Sequence, residues 1–334
     1  MGLSGLLASC AAVPAPVPAA PKLTLTAAAV SAPGYRTAAV AAPALVADLG
    51  VNADLNGLAL FPKNNPWNTR IDKSSLDPNS KKLIKAISGK LHPDFGADWN
   101  GGPFGIPYVV VSGSQAKVPV KFGWADESDK GPYPIPATAP IEGGANSAGD
   151  RHVLVLDRDN ALLYEIGNAY PSNGGASWTA GAGAIFNLKS NKLRPAGWTS
   201  ADAAGLPILP GLVRYDEVAS GKITHAIRFT VAKTRKAYVS PARHYASSNR
   251  SASLPPMGMR VRLKKSFDIS KYPKQARVIL AAMKTYGLIL ADNGSNWFVS
   301  GTADSRWNDS ALNSLKKVPG SAFEVVKMGK ITKG

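Results

Sequence analysis

NKLRPAGWTSADAAGLPILPGLVRYDEV, residues 191–218, combines prolines, glycines and apolar residues in a way that disfavours a regular helix or a central strand. Pro195, Pro207 and Pro210 fix their own backbone φ and push the residue before each of them towards extended conformations. The segment nevertheless contains too many leucine, isoleucine and valine residues to be a solvated linker. We therefore predict an ordered, partly buried loop that leads into a strand, and loops of this kind often carry functional residues.

The rest of the composition favours a β-rich domain. The chain has 334 residues with 32 Gly and 26 Pro, and most of its apolar runs are short. Short apolar runs separated by many turns are typical of all-β and α+β folds rather than of helical bundles. We predict one large domain over residues 51–334, with antiparallel sheets arranged as a sandwich or a barrel and a few peripheral helices. Residues 1–50 are interpreted as a signal remnant followed by an Ala/Pro-rich linker.

Local periodicity places the individual elements. Strands are predicted at residues 108–111, 118–124, 153–157, 161–166, 223–231, 238–244 and 259–263. Residues 288–291 and 297–300 are predicted to form a closing hairpin around the turn at 292–295. Helices are predicted at residues 78–88, 273–286 and 310–317.

The formal net charge of +17 bears on the choice of partner. An excess of Lys and Arg raises the local concentration of anionic partners such as acidic polysaccharides, cell-wall polymers or lipid headgroups. The basic residues do not form one block and no nucleic-acid motif accompanies them, so we expect no nucleic-acid partner. The alternative is a general surface charge with no specific anion site.

Cys10 is the only cysteine, so the chain cannot form an internal disulfide. It follows Leu7, Ala8 and Ser9 in a pattern that resembles the lipobox of a bacterial lipoprotein, in which the cysteine becomes the acylated first residue. Only six uncharged residues precede this box, which is shorter than a secretory signal requires. We expect a secreted protein or an outer-envelope lipoprotein anchored through Cys10. The alternative is an accidental match in a disordered tail.

Several kinds of chemistry lack their motifs. The sequence has no Walker loop, no Rossmann glycine fingerprint, no HExxH helix and no GxSxG elbow, and we expect no cofactor. The four histidines, His92, His152, His225 and His244, are scattered. Two of them with a carboxylate would suffice for zinc, but their spacing does not indicate a metal site. Carboxylate, arginine and aromatic chemistry remains.

Acidic side chains and their neighbours are the candidates for catalysis. Residues 126–129 hold three acids, which could bind calcium, supply a general acid or form a solvated turn. A glycoside hydrolase needs two carboxyl groups that flank the sugar, whereas a lyase for uronic acids needs a cation and a proton carrier. The predicted catalytic residues are Asp126, Glu127, Asp150, His152, Asp216, His225 and Asp292. Glu142 and Glu217 are further carboxyl candidates.

The predicted substrate-binding residues are arginines and aromatic or amide side chains near these acids. They are Arg151, Trp198, Arg214, Tyr215, Arg228, Asn293 and Trp297. Tryptophans can stack on sugars, although a place in the core is the alternative for each. His225 falls in an apolar row of residues 223–231, so a satisfied core histidine is the alternative to a catalytic one.

Long motifs resemble those of a family of secreted bacterial proteins. They run from about residue 61 to residue 326 and include FPKNNPWN, GIPYVVV, WADESDKGPYPIP, IEGG, GDRHVLVLDRDN, LRPAGWTSADAAGLPILPGLVRYDEV, HAIRF, LPPMG, FDIS, MKTYGLILADNGS and DSRWND. The resemblance implies a secreted setting and carries no role over to any residue.

Three functions remain open. The first is a monomeric glycoside hydrolase or lyase that acts on an extracellular polysaccharide or cell-wall polymer. The second is a non-catalytic module that binds cell-wall or anionic glycan. The third is a structural envelope protein, which should lack a cleft in which several carboxylates converge.

Overall fold

The folded part consists of short strands and a few short helices. The computed structural model describes residues 46–334, so the predictions for Cys10 and for the signal remnant lie outside the described residues. The strands are β1 Gly50–Val51, β2 His92–Asp94, β3 Tyr108–Val111, β4 Val120–Phe122, β5 Val153–Asp157, β6 Leu162–Gly167, β7 Tyr170–Ser172, β8 Ser177–Ala180, β9 Ala182–Asn187, β10 Ile227–Val231, β11 Ala237–Val239, β12 Arg260–Leu263, β13 Leu288–Asn293, β14 Phe298–Ser300, β15 Phe323–Val325 and β16 Ile331–Lys333. The α-helices are α1 Ser80–Ala86, α2 Tyr215–Ser220, α3 Lys274–Thr285 and α4 Asp309–Asn313. Single 3-10 turns are Ala125–Glu127, Asn173–Gly175, Leu209–Gly211, Ser314–Lys317 and Gly320–Ala322.

A five-stranded sheet in the order β1-β3-β5-β6-β9 carries the predicted hairpin of β5 and β6. Every residue of β5 is buried, because its two faces pack against different apolar clusters. Leu154 and Leu156 belong to the main core, whereas Val153 and Val155 pack with Tyr133 in a smaller cluster. The residues just before β5 therefore lie at one end of a rigid sheet.

A six-stranded sheet has the order β15-β12-β13-β10-β14-β2. The predicted hairpin of β13 with β14 is wrong, because β10 lies between them, parallel to β13 and antiparallel to β14. All five residues of β10 are buried, as expected for a strand that is paired on both sides in the centre of a sheet. A three-stranded sheet has the order β4-β8-β7, and a two-stranded sheet pairs β11 with β16.

The prediction of a β-rich domain with a few short helices is confirmed. The described residues belong to one compact unit. The sheets are mixed rather than purely antiparallel, since β3–β5, β4–β8, β10–β13 and β14–β2 are parallel pairs. The packed part also begins a few residues before the predicted residue 51, because Ala47 is buried and Gly50 pairs with Val110.

Residues 191–218 form an ordered loop, as predicted, but they lead into a helix instead of a strand. The buried turn Leu209–Gly211 is followed by α2, whose first turn holds Asp216 and Glu217. Acidic residues favour a helix N-terminus because they complement its dipole, and Gly221 closes α2 with φ +86°. Val213, just before α2, makes only an isolated bridge to Gly301.

Among the described residues, no helix combines the length and the apolar character that a membrane crossing demands.

Candidate functional site

Glu165, in β6, anchors the proline-rich segment to the five-stranded sheet. Its carboxylate is fully buried and accepts hydrogen bonds from the backbone N–H groups of Ile208 at 2.8 Å and Leu209 at 2.9 Å. Burial raises the pKa of Glu165 to about 7, although these two hydrogen bonds oppose the rise. Asp202 precedes the anchored residues and Arg214 follows them, and these two polar side chains belong to two different sites, which are described below.

Asp202 forms a buried ion pair with Arg228 of β10. The guanidinium donates from Nε to Oδ2 at 2.8 Å and from Nη2 to Oδ1 at 2.9 Å. Its Nη1 donates to Ser300 Oγ at 2.5 Å. Buried charges are tolerated when they are paired and fully hydrogen-bonded in this way. The pair fixes the loop that contains Asp202 against the six-stranded sheet.

Asp292, in β13, lies next to this ion pair with Oδ2 at 3.8 Å from Arg228 Nη2. Burial raises the pKa of Asp292 to about 7, and the negative charge of Asp202 adds to the rise, whereas Arg228 opposes it. A large fraction of Asp292 therefore carries a proton at neutral pH. A carboxylic acid that is protonated near pH 7 suits general-acid catalysis.

His152 and Glu142 form a second buried pair. Glu142 Oε2 accepts from His152 Nδ1 at 2.6 Å, and the carbonyl oxygen of Ala201 accepts from Nε2 at 3.0 Å. Burial lowers the pKa of His152, but the charge and hydrogen bond of Glu142 outweigh burial and raise it to about 9. His152 is thus an imidazolium that uses both N–H groups to hold neighbouring loops in place.

These elements converge on a cleft of about 520 Å³, which we call the acidic cleft. Its lining contains aromatic, carboxyl, histidine and small polar side chains from separate segments: Trp124, Glu127, Asp150, His152, Asn168, Thr199, Ser200, His244 and Asp292. Glu127 is held in place by the backbone N–H of Thr199, which donates to Oε2 at 3.0 Å. Asp150 is exposed at the end of the loop before β5. Three of the predicted catalytic carboxyl groups, with His152, therefore line one cavity.

Trp124 forms an exposed aromatic surface in the acidic cleft. Its side chain is 59% exposed, and its backbone N–H donates to the carbonyl oxygen of Gly181 at 2.9 Å. The indole packs on Gly181, where an added Cβ would lie 2.7 Å from Cζ3. The exposed part of the ring can contact a ligand such as a sugar.

Asp94 is an acid that sequence analysis missed. It ends β2 in register with Ser300, the residue that accepts from Arg228. Partial loss of water around its carboxyl raises its pKa, and the negative charges of Glu142 and Asp150 add to the rise. Asp94 is a lone acid after a proline, and only the parallel pairing of β2 with β14 brings it near the other carboxyl groups.

Two predicted substrate-binding residues are structural. Trp297 is fully buried, stacks on Phe229 and Phe323, and donates from Nε1 to the carbonyl oxygen of Ile87 at 2.8 Å, so its prediction is wrong. The guanidinium of Arg151 is also buried. It donates to the carbonyl oxygens of Ala169, Ala145 and Ser147. Arg151 therefore stabilises the conformation of the loop that contains Asp150.

Five further predicted residues do not line the acidic cleft. Asp126 is exposed in the turn that contains Glu127. Asn293 accepts from Thr234 and donates to the carbonyl oxygen of Ala246, so its amide is used within the protein. Tyr215 packs edge-on against Trp307 with the guanidinium of Arg306 over its ring. Arg228 lies next to the cleft with Nη2 at 3.8 Å from Asp292 Oδ2, and Trp198 lines a neighbouring cavity.

The remaining predicted residues form a separate site, which we call the Arg214 cavity. It has a volume of about 350 Å³ and contains Arg214, Asp216, Glu217 and His225. Glu217 accepts from Arg214 Nη2 at 2.7 Å and from His225 Nε2 at 3.0 Å. His225 therefore precedes β10 and pairs with a carboxylate, instead of lying in the apolar row of that strand. The predicted single site is divided in two.

The described residues contain no group of three or more His, Cys, Asp or Glu side chains arranged to hold a metal ion. Comparison of the chain with protein-family models, with curated proteins and with solved structures gave no match. The resemblance to a family of secreted bacterial proteins therefore stays a prediction.

Proposed function

We propose that this protein is a glycoside hydrolase that acts on an extracellular polysaccharide at the acidic cleft. The observation that supports the proposal is the meeting of Glu127, Asp150 and Asp292 with the exposed Trp124 in one cavity. The carboxyl groups come from three distant parts of the chain, and the aromatic surface beside them suits a sugar ring. A structural envelope protein has no need for this arrangement.

In this proposal Asp292 is the general acid. Its carboxyl gives a proton to the glycosidic oxygen as the bond to the leaving sugar breaks. Hydrolysis also needs an ionised carboxylate on the other side of the sugar, as nucleophile or as the base that activates water. Asp150 and Glu127 are the two lining residues that could take this role. Glu127 is the more rigidly held, because the backbone N–H of Thr199 donates to it.

We favour hydrolysis over β-elimination because both N–H groups of His152 are already used within the protein. A lyase needs a base to remove a proton next to the uronic carboxylate and a cation to neutralise that carboxylate. His152 is a buried cation in the lining, and both of its N–H groups already donate to Glu142 and Ala201. It is therefore a positioning residue in this proposal.

The test is the release of reducing ends from a panel of neutral and acidic polysaccharides. The single variant Asp292→Asn should lower the rate by about 10²–10⁴-fold, which is the usual contribution of acid–base catalysis. One of the single variants Glu127→Gln and Asp150→Asn should have an effect of the same size. Asp126→Asn is the matched control, because this acid is next to Glu127 but does not line the cleft. Undiminished activity in Asp292→Asn would remove Asp292 from the mechanism, and unsaturated products would indicate a lyase.

A non-catalytic glycan-binding module is the second candidate. The exposed face of Trp124 and the net charge of +17 would both serve binding without turnover. This alternative predicts glycan binding that weakens steeply with ionic strength and no new reducing ends on any substrate. In either case we propose a secreted or envelope-anchored setting, which the lipobox pattern at Cys10 supports.

A further inference from the structure

A third cavity lies beside the acidic cleft, and the charged side chains that line it are mainly cationic. It has a volume of about 680 Å³, and we call it the basic groove. The side chains that give it its character are Lys192, Arg194, Trp198, Arg243 and Phe186. It also contains one acid, Asp129.

The basic groove and the acidic cleft share a wall. Trp198 lines the groove and the next residue, Thr199, lines the cleft; Arg243 and His244 are divided in the same way. Arg194 builds this wall, because its Nε donates to the carbonyl oxygen of Thr199 at 2.7 Å and its Nη2 to that of Glu127 at 2.8 Å. A polymer bound in the cleft therefore has the groove as its neighbouring surface.

Only some of the cationic groups of the basic groove are paired with other groups of the protein. Asp129 is neutralised, since its carboxylate pairs with Arg194 and also accepts from the backbone N–H of Ile185 at 2.9 Å. Arg243 donates from Nε to the carbonyl oxygen of Arg194 at 2.8 Å. Within residues 46–334, neither the Nη groups of Arg243 nor the Nζ of the exposed Lys192 has a hydrogen-bond partner. Two cationic groups are thus free to bind an anion.

An aromatic ring completes this surface. Trp198 is half-buried, and the guanidinium of Arg194 lies 5.5 Å from the centre of its ring. The contact holds the indole in place while part of it stays exposed. A flat aromatic side chain next to free cations can stack on a sugar ring and bind an acidic substituent on the same ring at once.

We propose that the basic groove is a subsite for an anionic sugar residue, and that the substrate is an acidic polysaccharide. Trp198 stacks on the sugar, while Lys192 and Arg243 bind its carboxylate or sulfate group. The adjacent acidic cleft holds the bond that is cleaved. This inference rests on the proposed glycan substrate but not on catalysis, because binding to the groove needs no turnover.

The experiment measures equilibrium binding by affinity electrophoresis with the Asp292→Asn protein, so that no substrate is consumed. The carboxylate probes are polygalacturonate and alginate, each beside its carboxyl-reduced neutral form. The sulfate probe is dextran sulfate beside dextran. We expect one acidic polymer to bind at least 10-fold more tightly than its neutral counterpart, and the preferred pair identifies the anionic group.

The double variant Lys192→Gln with Arg243→Gln should reduce this preference to less than 3-fold. Arg243→Lys, which keeps the charge, should retain most of it. Lys81→Gln with Lys85→Gln is the charge-matched control, because these exposed lysines line a different cavity next to α1. The control should keep the full preference, and an equal loss in the control and the groove variant would mean general surface charge.

Failure of this inference and failure of the proposed function give different results. Equal binding of acidic and neutral polymers, or an unchanged preference in the groove variant, would overturn the anionic subsite even if a neutral glycan is hydrolysed. Preference for an acidic polymer that is lost in the groove variant, together with no hydrolysis by the wild-type protein, would support the subsite and overturn the proposed hydrolase.

Discussion

Arg228 and Asp202 form a bidentate ion pair beneath the acidic cleft, with both carboxylate oxygens within 2.9 Å of guanidinium nitrogens. Neither side chain reaches solvent to any useful extent, and Asp202 is fully buried. The pair fixes the loop that lines the cleft, and it also determines the charge around Asp292. Stability and chemistry of the site are therefore linked through the same two residues.

Removal of either partner should strongly destabilise the fold. Asp202→Asn leaves the buried charge of Arg228 without its counter-ion, and the loss of a buried partner costs about 3–5 kcal/mol. Chemical denaturation measures this change as a lower free energy of unfolding. Asp72→Asn is the matched control, because it breaks the exposed Arg70–Asp72 pair, and it should leave stability unchanged within error. Equal losses of unfolding free energy in the two variants would contradict the claim that the Arg228–Asp202 pair matters because it is buried.

Asp292 should titrate near pH 7 in the folded protein, as followed by its side-chain carboxyl carbon in NMR spectra. Because its pKa is raised on folding, its contribution to stability is complete below pH 4 and is lost as pH rises through about 7. In Arg228→Lys, which keeps the positive charge, the pKa should stay raised. An Asp292 carboxyl that titrates near its ordinary value would exclude it as the general acid at neutral pH.

The His152–Glu142 pair predicts a second loss of stability at higher pH. The pKa of His152 is raised to about 9, so the stabilisation is complete below pH 6.5 and disappears as pH rises through 9. A shift of this size corresponds to about 3 kcal/mol at most. Denaturation at several pH values should show this decline in the wild type and in His244→Gln, which leaves the pair intact. His152→Gln should be less stable at pH 6 and should lack the decline.

Glu165 should contribute to stability as a hydrogen-bond acceptor. Glu165→Leu would leave the N–H groups of Ile208 and Leu209 buried without a partner, at about 1–3 kcal/mol each. Glu165→Gln keeps an acceptor oxygen and should lose less. Urea denaturation of the two variants checks this order. A Gln variant as unstable as the Leu variant would indicate that the negative charge is what the segment requires.

Local patterns predicted the elements of this fold better than their arrangement. The hairpin of β5 and β6 follows from alternation and a short turn, and α3 follows from apolar spacing closed by Gly287. The insertion of β10 between β13 and β14 depends on long-range pairing, which no local pattern encodes. The alternation around His225 continues that of β10 and therefore predicts a strand residue. In the structure His225 precedes β10 and pairs with Glu217 in α2, a contact that no local pattern indicates.

The candidate site was predictable to a similar extent. Glu127, Asp150, His152 and Asp292 stand in polar stretches at the ends of apolar runs, where sheets commonly present side chains. Asp94 has no such context and reaches this region only through the pairing of β2 with β14. Burial of the tryptophans could not be predicted either. The sequence does not distinguish the exposed Trp124 from the buried Trp297.

Trp124 should contribute to glycan binding and little to stability. Trp124→Ala should weaken binding of the substrate polymer about 10-fold, since aromatic contacts with a ligand are typically worth about 1 kcal/mol or more. Gly181→Ala keeps the indole but displaces it, because the added Cβ would lie 2.7 Å from Cζ3, and it should weaken binding in the same direction. Trp99→Ala is the matched control, since Trp99 is 67% exposed and does not line the cleft. Equal binding losses in the Trp124 and Trp99 variants would mean that the protein binds glycan through scattered aromatic contacts instead of through the acidic cleft.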